Sequence, residues 1–299
     1  MFEQVSIIGC GLIGSSVFRA LKKSNSAKKI ITFDSDKSVS EIIKKENLSD
    51  KIVSSPKEAV SNADLILIST PLSSFESAVN SIKEHLKSGS ILTDTNSVKK
   101  GANAIIKKMN LKNTFWIPSH PVAGTEKSGP KAGFSDLFRD RWTILTPDSK
   151  IKESETKKVS AFWESMGSKV KIMSAEDHDK ILSLTSHLPH VIAYNIVKTA
   201  MSNDDRTKND IIRYSAGGLR DFTRIAASNP TMWKDIFIGN SDLIIDAINK
   251  FSKNLDEFKK AITEKDSKKL LEIFEKSKEF REAIIKAGQD TDKPSFGRK

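Results

Sequence analysis

Cysteine occurs once, as Cys10, so the chain can form no internal disulfide and a reducing compartment such as the cytoplasm is expected. Long apolar runs are missing too: no stretch approaches the roughly 20 residues that a membrane span requires. Strand-like sequence begins within a few residues of Met1, which leaves no room for a secretory leader. No internal repeat is visible, and no metal is expected. The formal net charge is +11, yet no nucleic-acid motif accompanies it. The lysines are scattered among acids, as in Asn254–Lys260 and Glu272–Lys286, which describes a solvated surface rather than a nucleic-acid footprint.

Hydrophobic residues make up 37% of 299 positions, enough for one large or two ordinary domains, each with its own core. Through residue 174, short apolar runs alternate with segments of helical period. The runs are Val5–Gly9, Lys29–Asp34, Asp64–Ser69, Ser90–Asp94, Thr114–Pro118, Arg141–Thr146 and Lys169–Ser174. Strand–helix alternation of this kind predicts right-handed crossovers and a mainly parallel, Rossmann-type α/β sheet over residues 1–174. From Ser174, which reads as a helix N-cap with Asp177 three residues on, residues 175–299 read as all-α. Pro189 should bend or interrupt the first long helix there, and Gly217-Gly218 and Asn229-Pro230 mark further breaks. The last residues, Gln289–Lys299, read as a loose tail.

Gly9-Cys10-Gly11-Leu12-Ile13-Gly14 follows an apolar strand and opens a helix. Gly9 allows a tight turn, Gly11 lets backbone approach a pyrophosphate, and Gly14 permits close helix–strand packing. The helix start, with Leu12 and Ile13, offers unpaired N–H groups to phosphates. Asp34, 20 residues beyond Gly14, is placed to accept from ribose hydroxyls. Its charge, with that of Asp36, would repel a 2′-phosphate, so NAD is favoured over NADP. Thr70, within Ser69-Thr70-Pro71, ends a later strand where such a sheet meets its ligand, although a simple turn would also account for it.

Polar clusters mark the chemistry. Ser97 lies in Asp94-Thr-Asn-Ser-Val-Lys99. His120 follows the run Thr114–Pro118 directly and is read at the carboxyl edge of the sheet, in a Gly-rich polar segment. An imidazole there can accept the proton of a substrate alcohol while hydride leaves the same carbon. Polar residues embedded in apolar helix, around Ser186–His190 and Gly217–Arg224, suggest a lined cleft. Arg224 or Arg220 could clamp a carboxylate or serve a structural ion pair.

Over essentially its whole length the sequence resembles the prephenate/arogenate (cyclohexadienyl) dehydrogenases of tyrosine biosynthesis. The resemblance rests on GCGLIGSS, DTNSVK, SHPVAGTEKSG, SHLPH and GGLRDFTRIAASNPTMWKDIF. It implies NAD-dependent oxidative decarboxylation, with His120 as base and Ser97 orienting it beside the nicotinamide. It further implies Arg224 on a substrate carboxylate, His190 and Glu126 lining or gating the pocket, and Trp233 positioning the arginine region. The helical half would build a homodimer and complete the active site, with prephenate or arogenate as the small-molecule substrate. The rival readings are a β-hydroxyacid or imine-reducing dehydrogenase, or a non-catalytic nucleotide sensor.

Overall fold

The computed structural model describes residues 2–289; the expected tail lies, from residue 290 onward, outside the described residues. The first half alternates strands and helices as β1 (Phe2–Ile8), α1 (Leu12–Ser24), β2 (Ala27–Phe33), α2 (Lys37–Lys45), β3 (Lys51–Ile52), α3 (Pro56–Val60) and β4 (Leu65–Ile68). It continues through α4 (Leu72–Ile82), β5 (Ile91–Asp94), α5 (Lys99–Met109), β6 (Phe115–Trp116), β7 (Ser119–Pro121), β8 (Trp142–Leu145), α6 (Glu153–Glu164) and β9 (Lys169–Ile172). Six strands form a parallel sheet in the order β3-β2-β1-β4-β5-β6. This is the doubly wound Rossmann arrangement, and its sequence cause is visible in β4, where all four residues are apolar and fully buried. Successive side chains point to opposite faces, so Leu65 and Leu67 join a core with Phe18 and Trp163. Ile66 and Ile68 join another with Phe75 and Val79.

The runs Arg141–Thr146 and Lys169–Ser174 were expected to continue the mainly parallel sheet, with His120 directly after the run Thr114–Pro118. Instead β7, β8 and β9 form a separate three-stranded sheet, with β7 antiparallel to β8 and β8 parallel to β9. Proline explains the switch. Pro118 has no N–H for the ladder, so β6 stops at Trp116 and the chain crosses to pair with β8.

Beyond β9 every regular element among the described residues is helical: α7 (Ala175–Leu182), α8 (Leu188–Met201), α9 (Asp205–Arg213), α10 (Gly217–Thr223), α11 (Pro230–Gly239), α12 (Ser241–Thr263) and α13 (Ser267–Lys286). Ser174 caps α7, accepting from Asp177 N–H at 3.0 Å. A π-helical turn, Ser183–His187, separates α7 from α8 and absorbs the missing N–H of Pro189. None of the described helices is long and apolar enough to cross a membrane.

Two carboxylates dock α7 and α11 onto the Rossmann layer by capping its helices. Asp179 accepts from the N–H groups of Lys99 and Lys100, both at 2.9 Å, at the start of α5. Asp235 accepts from Ser73 N–H at 3.0 Å at the start of α4. Neither cap comes from a neighbouring residue in sequence, so each ties distant chain together through a helix dipole. By contacts within the chain, residues 1–244 form one compact unit and residues 245–299 a second. The second holds the rest of α12 with α13, where the rings of Phe258 and Phe274 approach to 6.2 Å.

Candidate active site

The glycine turn sits at the carboxyl end of β1. Gly9 has φ of +88°, and a Cβ there would lie 2.7 Å from the Ser69 carbonyl oxygen, so only glycine fits. A Cβ on Gly14 would overlap the Gly9 carbonyl, whereas one on Gly11 would meet nothing within 4 Å. Helix α1 therefore starts, behind Leu12 and Ile13, with no side-chain cap and an open face beside Gly11. Asp34 ends β2 beside this turn. It accepts from Cys10 N–H at 2.7 Å and from Asp36 N–H at 2.9 Å, which fixes its carboxylate against the loop. Asp36 in turn caps α2 through Ser38 N–H at 2.8 Å. Thr70 packs its methyl over Gly9, and its hydroxyl is buried without a hydrogen-bond partner among the described residues. An open helix N-terminus beside a fixed carboxylate is a fit for a dinucleotide's phosphates and ribose.

His120 lies in β7, paired with Ile144, rather than in a loop after β6. It nonetheless stays at the carboxyl end of the main sheet, because its neighbour Ser119 is tied to Asp94 at the end of β5. Ser119 N–H donates to Asp94 Oδ1 at 3.0 Å and its hydroxyl to the Asp94 carbonyl at 2.5 Å. Asp94 also holds Lys99, whose Nζ donates to both carboxylate oxygens at 2.8 Å and to the Ser119 carbonyl at 2.6 Å. Both side chains are fully buried. Burial pulls the Lys99 pKa down and Asp94 opposes that pull, which leaves a fixed cation beneath the site.

A chain of imidazoles sets the state of His120. Its Nδ1 lies 2.8 Å from His178 Nε2, and His178 Nδ1 lies 2.7 Å from Asp179 Oδ1. Burial alone would raise the Asp179 pKa. Hydrogen bonds from His178 and from the Lys99 and Lys100 N–H groups outweigh burial and hold the carboxyl below its ordinary value. An ionised Asp179 only accepts, so His178 carries its proton on Nδ1 and presents a bare Nε2. His120 must then donate from Nδ1, which leaves its own Nε2 lone pair free. Burial, the adjoining His178 imidazole, the Lys99 ammonium and His187, in that order, push the His120 pKa well below the ordinary imidazole value. At neutral pH His120 is an uncharged ring with Nε2 available as a base.

Ser97 was expected to orient this ring; the contact at Nδ1 is with His178, whose imidazole α7 brings to 2.8 Å. Ser97 is half-buried in the β5–α5 loop and makes no hydrogen bond among the described residues. His178 and Asp179 escaped the sequence reading. The only signal was an Asp-His-Asp run inside α7, where a charged triplet resembles an exposed helix face.

The helical side of the site centres on Trp233, which is 6% exposed. It packs with Val98 and Ile236 and stacks on His190, ring centroids 3.4 Å apart. His190 donates from Nδ1 to the Ser186 carbonyl at 2.9 Å, and since a carbonyl only accepts, Nδ1 carries the proton. Burial lowers the His190 pKa, the Ser186 bond opposes this, and the Arg224 charge adds to it. Arg224 meets Glu126 at 3.4 Å, with both side chains about two-fifths exposed. Arg220 makes no such contact among the described residues.

Two family models cover most of the chain: the prephenate dehydrogenase nucleotide-binding domain over residues 17–172 and the prephenate dehydrogenase dimerization domain over residues 174–276. Cyclohexadienyl dehydrogenase of Zymomonas mobilis is 38% identical, across 95% of this chain and 97% of that protein. Prephenate dehydrogenase of Bacillus subtilis is 30% identical, across 95% of this chain and 76% of that protein. The crystal structure of Aquifex aeolicus prephenate dehydrogenase, in complex with hydroxyphenyl propionate and NAD+, superposes with a TM-score of 0.85 at 31% identity. It covers 95% of this chain and 99% of the other.

Proposed function

The chain belongs to the prephenate dehydrogenase family, and on that premise we propose that it oxidises prephenate or arogenate with NAD, with loss of carbon dioxide. One observation carries the reading: His120 is buried, uncharged, and held through Nδ1, which leaves Nε2 as its free acceptor. The Gly9–Gly14 turn and Asp34 would hold the dinucleotide, with Thr70 and Ser97 beside it. When bound, NAD supplies the acceptor for a hydride.

The steps assigned to this chain are proton transfer and anion binding. His120 Nε2 takes the ring hydroxyl proton as the carbon–hydrogen bond pair departs as hydride. The bond to the ring carboxylate then breaks, its electron pair enters the ring, and carbon dioxide leaves. The ring oxygen recovers the proton from His120, so the imidazole returns to its starting state. Aromatisation provides the driving force, and the protein need chiefly orient the reactants. His178 and Asp179 act as positioning residues: their hydrogen bonds hold His120 in the tautomer with Nε2 free and give its Nδ1–H an acceptor throughout the transfer.

Arg224 is suited to the substrate carboxylate. Its exposed pair with Glu126 contributes no more than about 1 kcal/mol, so an incoming carboxylate can displace Glu126 at little cost. His190, fixed by Ser186 and stacked on Trp233, lines the same side. The large exposed apolar residues Ile212, Tyr214, Phe222 and Ile238 on α9–α11 support a homodimer, which light scattering on the purified protein would test. Cytoplasmic location accords with the lone buried Cys10.

The direct experiment follows NADH formation with prephenate and, separately, with arogenate. Turnover of at least one is expected. Turnover of neither overturns the proposal.

A further inference from the structure

We propose that His187 is a substrate-binding residue whose uncharged Nε2–H donates to an oxygen of the carboxylated substrate, in a tautomer imposed by Asn240. The inference rests on the dehydrogenase reading above and adds a residue and a protonation state to it.

The tautomer follows from hydrogen-bond direction. Asn240 ends α11, and its Nδ2 lies 3.0 Å from the Asp179 carbonyl. A carbonyl only accepts, so the amide nitrogen and not its oxygen must face it. The same nitrogen lies 3.2 Å from His187 Nδ1. An amide N–H at that position requires Nδ1 to be the acceptor, which puts the ring proton on Nε2. A second proton on Nδ1 would set N–H against N–H. Burial works in the same direction, lowering the His187 pKa to about 4; the Asp179 charge opposes it while His178 and His190 add to it. His187 is thus a neutral donor at neutral pH.

That donor has no partner. Residue 187 is 1% exposed, and its Nε2 is buried without a hydrogen bond among the described residues. Buried donors are rarely left so, since each costs about 1–3 kcal/mol, and at a functional site such an atom marks a ligand contact. The surroundings identify the ligand as the substrate. The π-helical turn sets His187 edge-on to Trp233, centroids 6.2 Å apart, and Trp233 stacks on His190. The Trp233 Nε1–H is likewise buried and unpartnered. His187 is also tied through Asn240 to the carbonyl of Asp179, whose carboxylate holds the His178–His120 pair. It therefore stands between the aromatic wall and the hydrogen-bonded chain that ends at the base, while the dinucleotide elements Gly9–Gly14, Asp34 and Thr70 belong to the β1, β2 and β4 ends.

Two substitutions separate a ligand contact from a packing role. His187→Asn keeps a polar group near Nδ1, facing Asn240, and loses the Nε2 donor. His187→Gln does the reverse and carries an N–H near the Nε2 position. We expect His187→Asn to lower kcat/KM for the substrate about 10–100-fold, mainly through KM, with KM for NAD held within about twofold. His187→Gln should recover most of that loss. A purely structural role gives the opposite order, since the Asn240 bond is then the interaction that matters. Wild-type kinetics in His187→Asn, a worse defect in His187→Gln, or a loss confined to NAD each overturns the assignment. Should His187→Asn fail to fold in a thermal melt, Asn240→Asp decides. Its carboxylate draws the proton to Nδ1, so substrate KM should climb as pH rises and the Nε2 donor disappears; a KM independent of pH overturns the proposal. Absence of turnover by the unaltered enzyme refutes the dehydrogenase reading itself.

Discussion

Replacing His178 by phenylalanine isolates the part of the site that acts through another residue. The substitution keeps a flat ring in a fully buried position, and an edge-on ring contact with His120, now 5.0 Å between centroids, can persist. Asp179 keeps its bonds to the Lys99 and Lys100 N–H groups, so the cap on α5 and the docking of α7 survive. What disappears is the acceptor 2.8 Å from His120 Nδ1. In the resting enzyme that acceptor selects the tautomer with a free Nε2; during proton transfer it bonds to an imidazolium. A hydrogen bond to a charged group contributes about 1.5–3 kcal/mol, or roughly a 10–150-fold fall in kcat at 25 °C. Steady-state NADH formation at saturating substrate and NAD gives kcat, and single-turnover measurement ensures that chemistry is being read. KM for NAD should hardly move, because the dinucleotide turn is untouched. Asp179→Asn should cost less than His178→Phe, because an amide oxygen can still accept from His178 Nδ1 although the charge is gone. A kcat for His178→Phe within about threefold of the parent would refute the relay.

Three further outcomes follow from the same geometry. His120→Asn should lower kcat about 10²–10⁴-fold, the scale of a lost general base, with NAD affinity by titration preserved; an unimpaired variant would remove His120 from the reaction. Arg224→Ala should raise substrate KM about 10–100-fold with a smaller change in kcat, as expected for a lost charge-assisted pair; an unchanged KM would reassign the clamp to Arg220. Stability should fall on acidification from 6.5 towards about 4, where His187 titrates in the folded protein. The sign is set by the unfolded chain, which binds the proton more readily: the contribution is complete above 6.5 and is lost as pH falls through the folded value. His187 alone accounts for up to about 3 kcal/mol, and His120 and His178 act in the same direction. Urea midpoints that do not change between neutral pH and about 4 would contradict this.

The glycine turn and Asp34 were legible because their chemistry is local: a strand, a tight turn and a helix start occupy consecutive residues. His120 was legible as a candidate for the same reason, but its setting was not. The run Thr114–Pro118 reads as one strand, whereas Pro118 ends β6 and sends His120 into a second sheet. Lys99 illustrates the limit in the other direction. A lysine in a polar loop reads as solvated, and only the closure of β5, α5 and β7 around it reveals a fully buried cation paired with Asp94. His178, Asp179 and Asn240 lie far from His120 in sequence; packing of α7 and α11 brings His178 onto its ring, Asp179 onto His178 and Asn240 onto Asp179. Pro189 announced a helix break, but a single helical period carries no sign that the break is a π-helical turn carrying His187.

The central claim is the state of one ring, and imidazole nitrogen NMR reads it directly. With five histidines in the chain, the His120→Asn variant assigns the relevant signals. At neutral pH His120 should be uncharged, with its proton on Nδ1 and an unprotonated Nε2, and should remain so as pH falls through the ordinary imidazole value. A proton on Nε2, or a charged ring at neutral pH, would contradict the account.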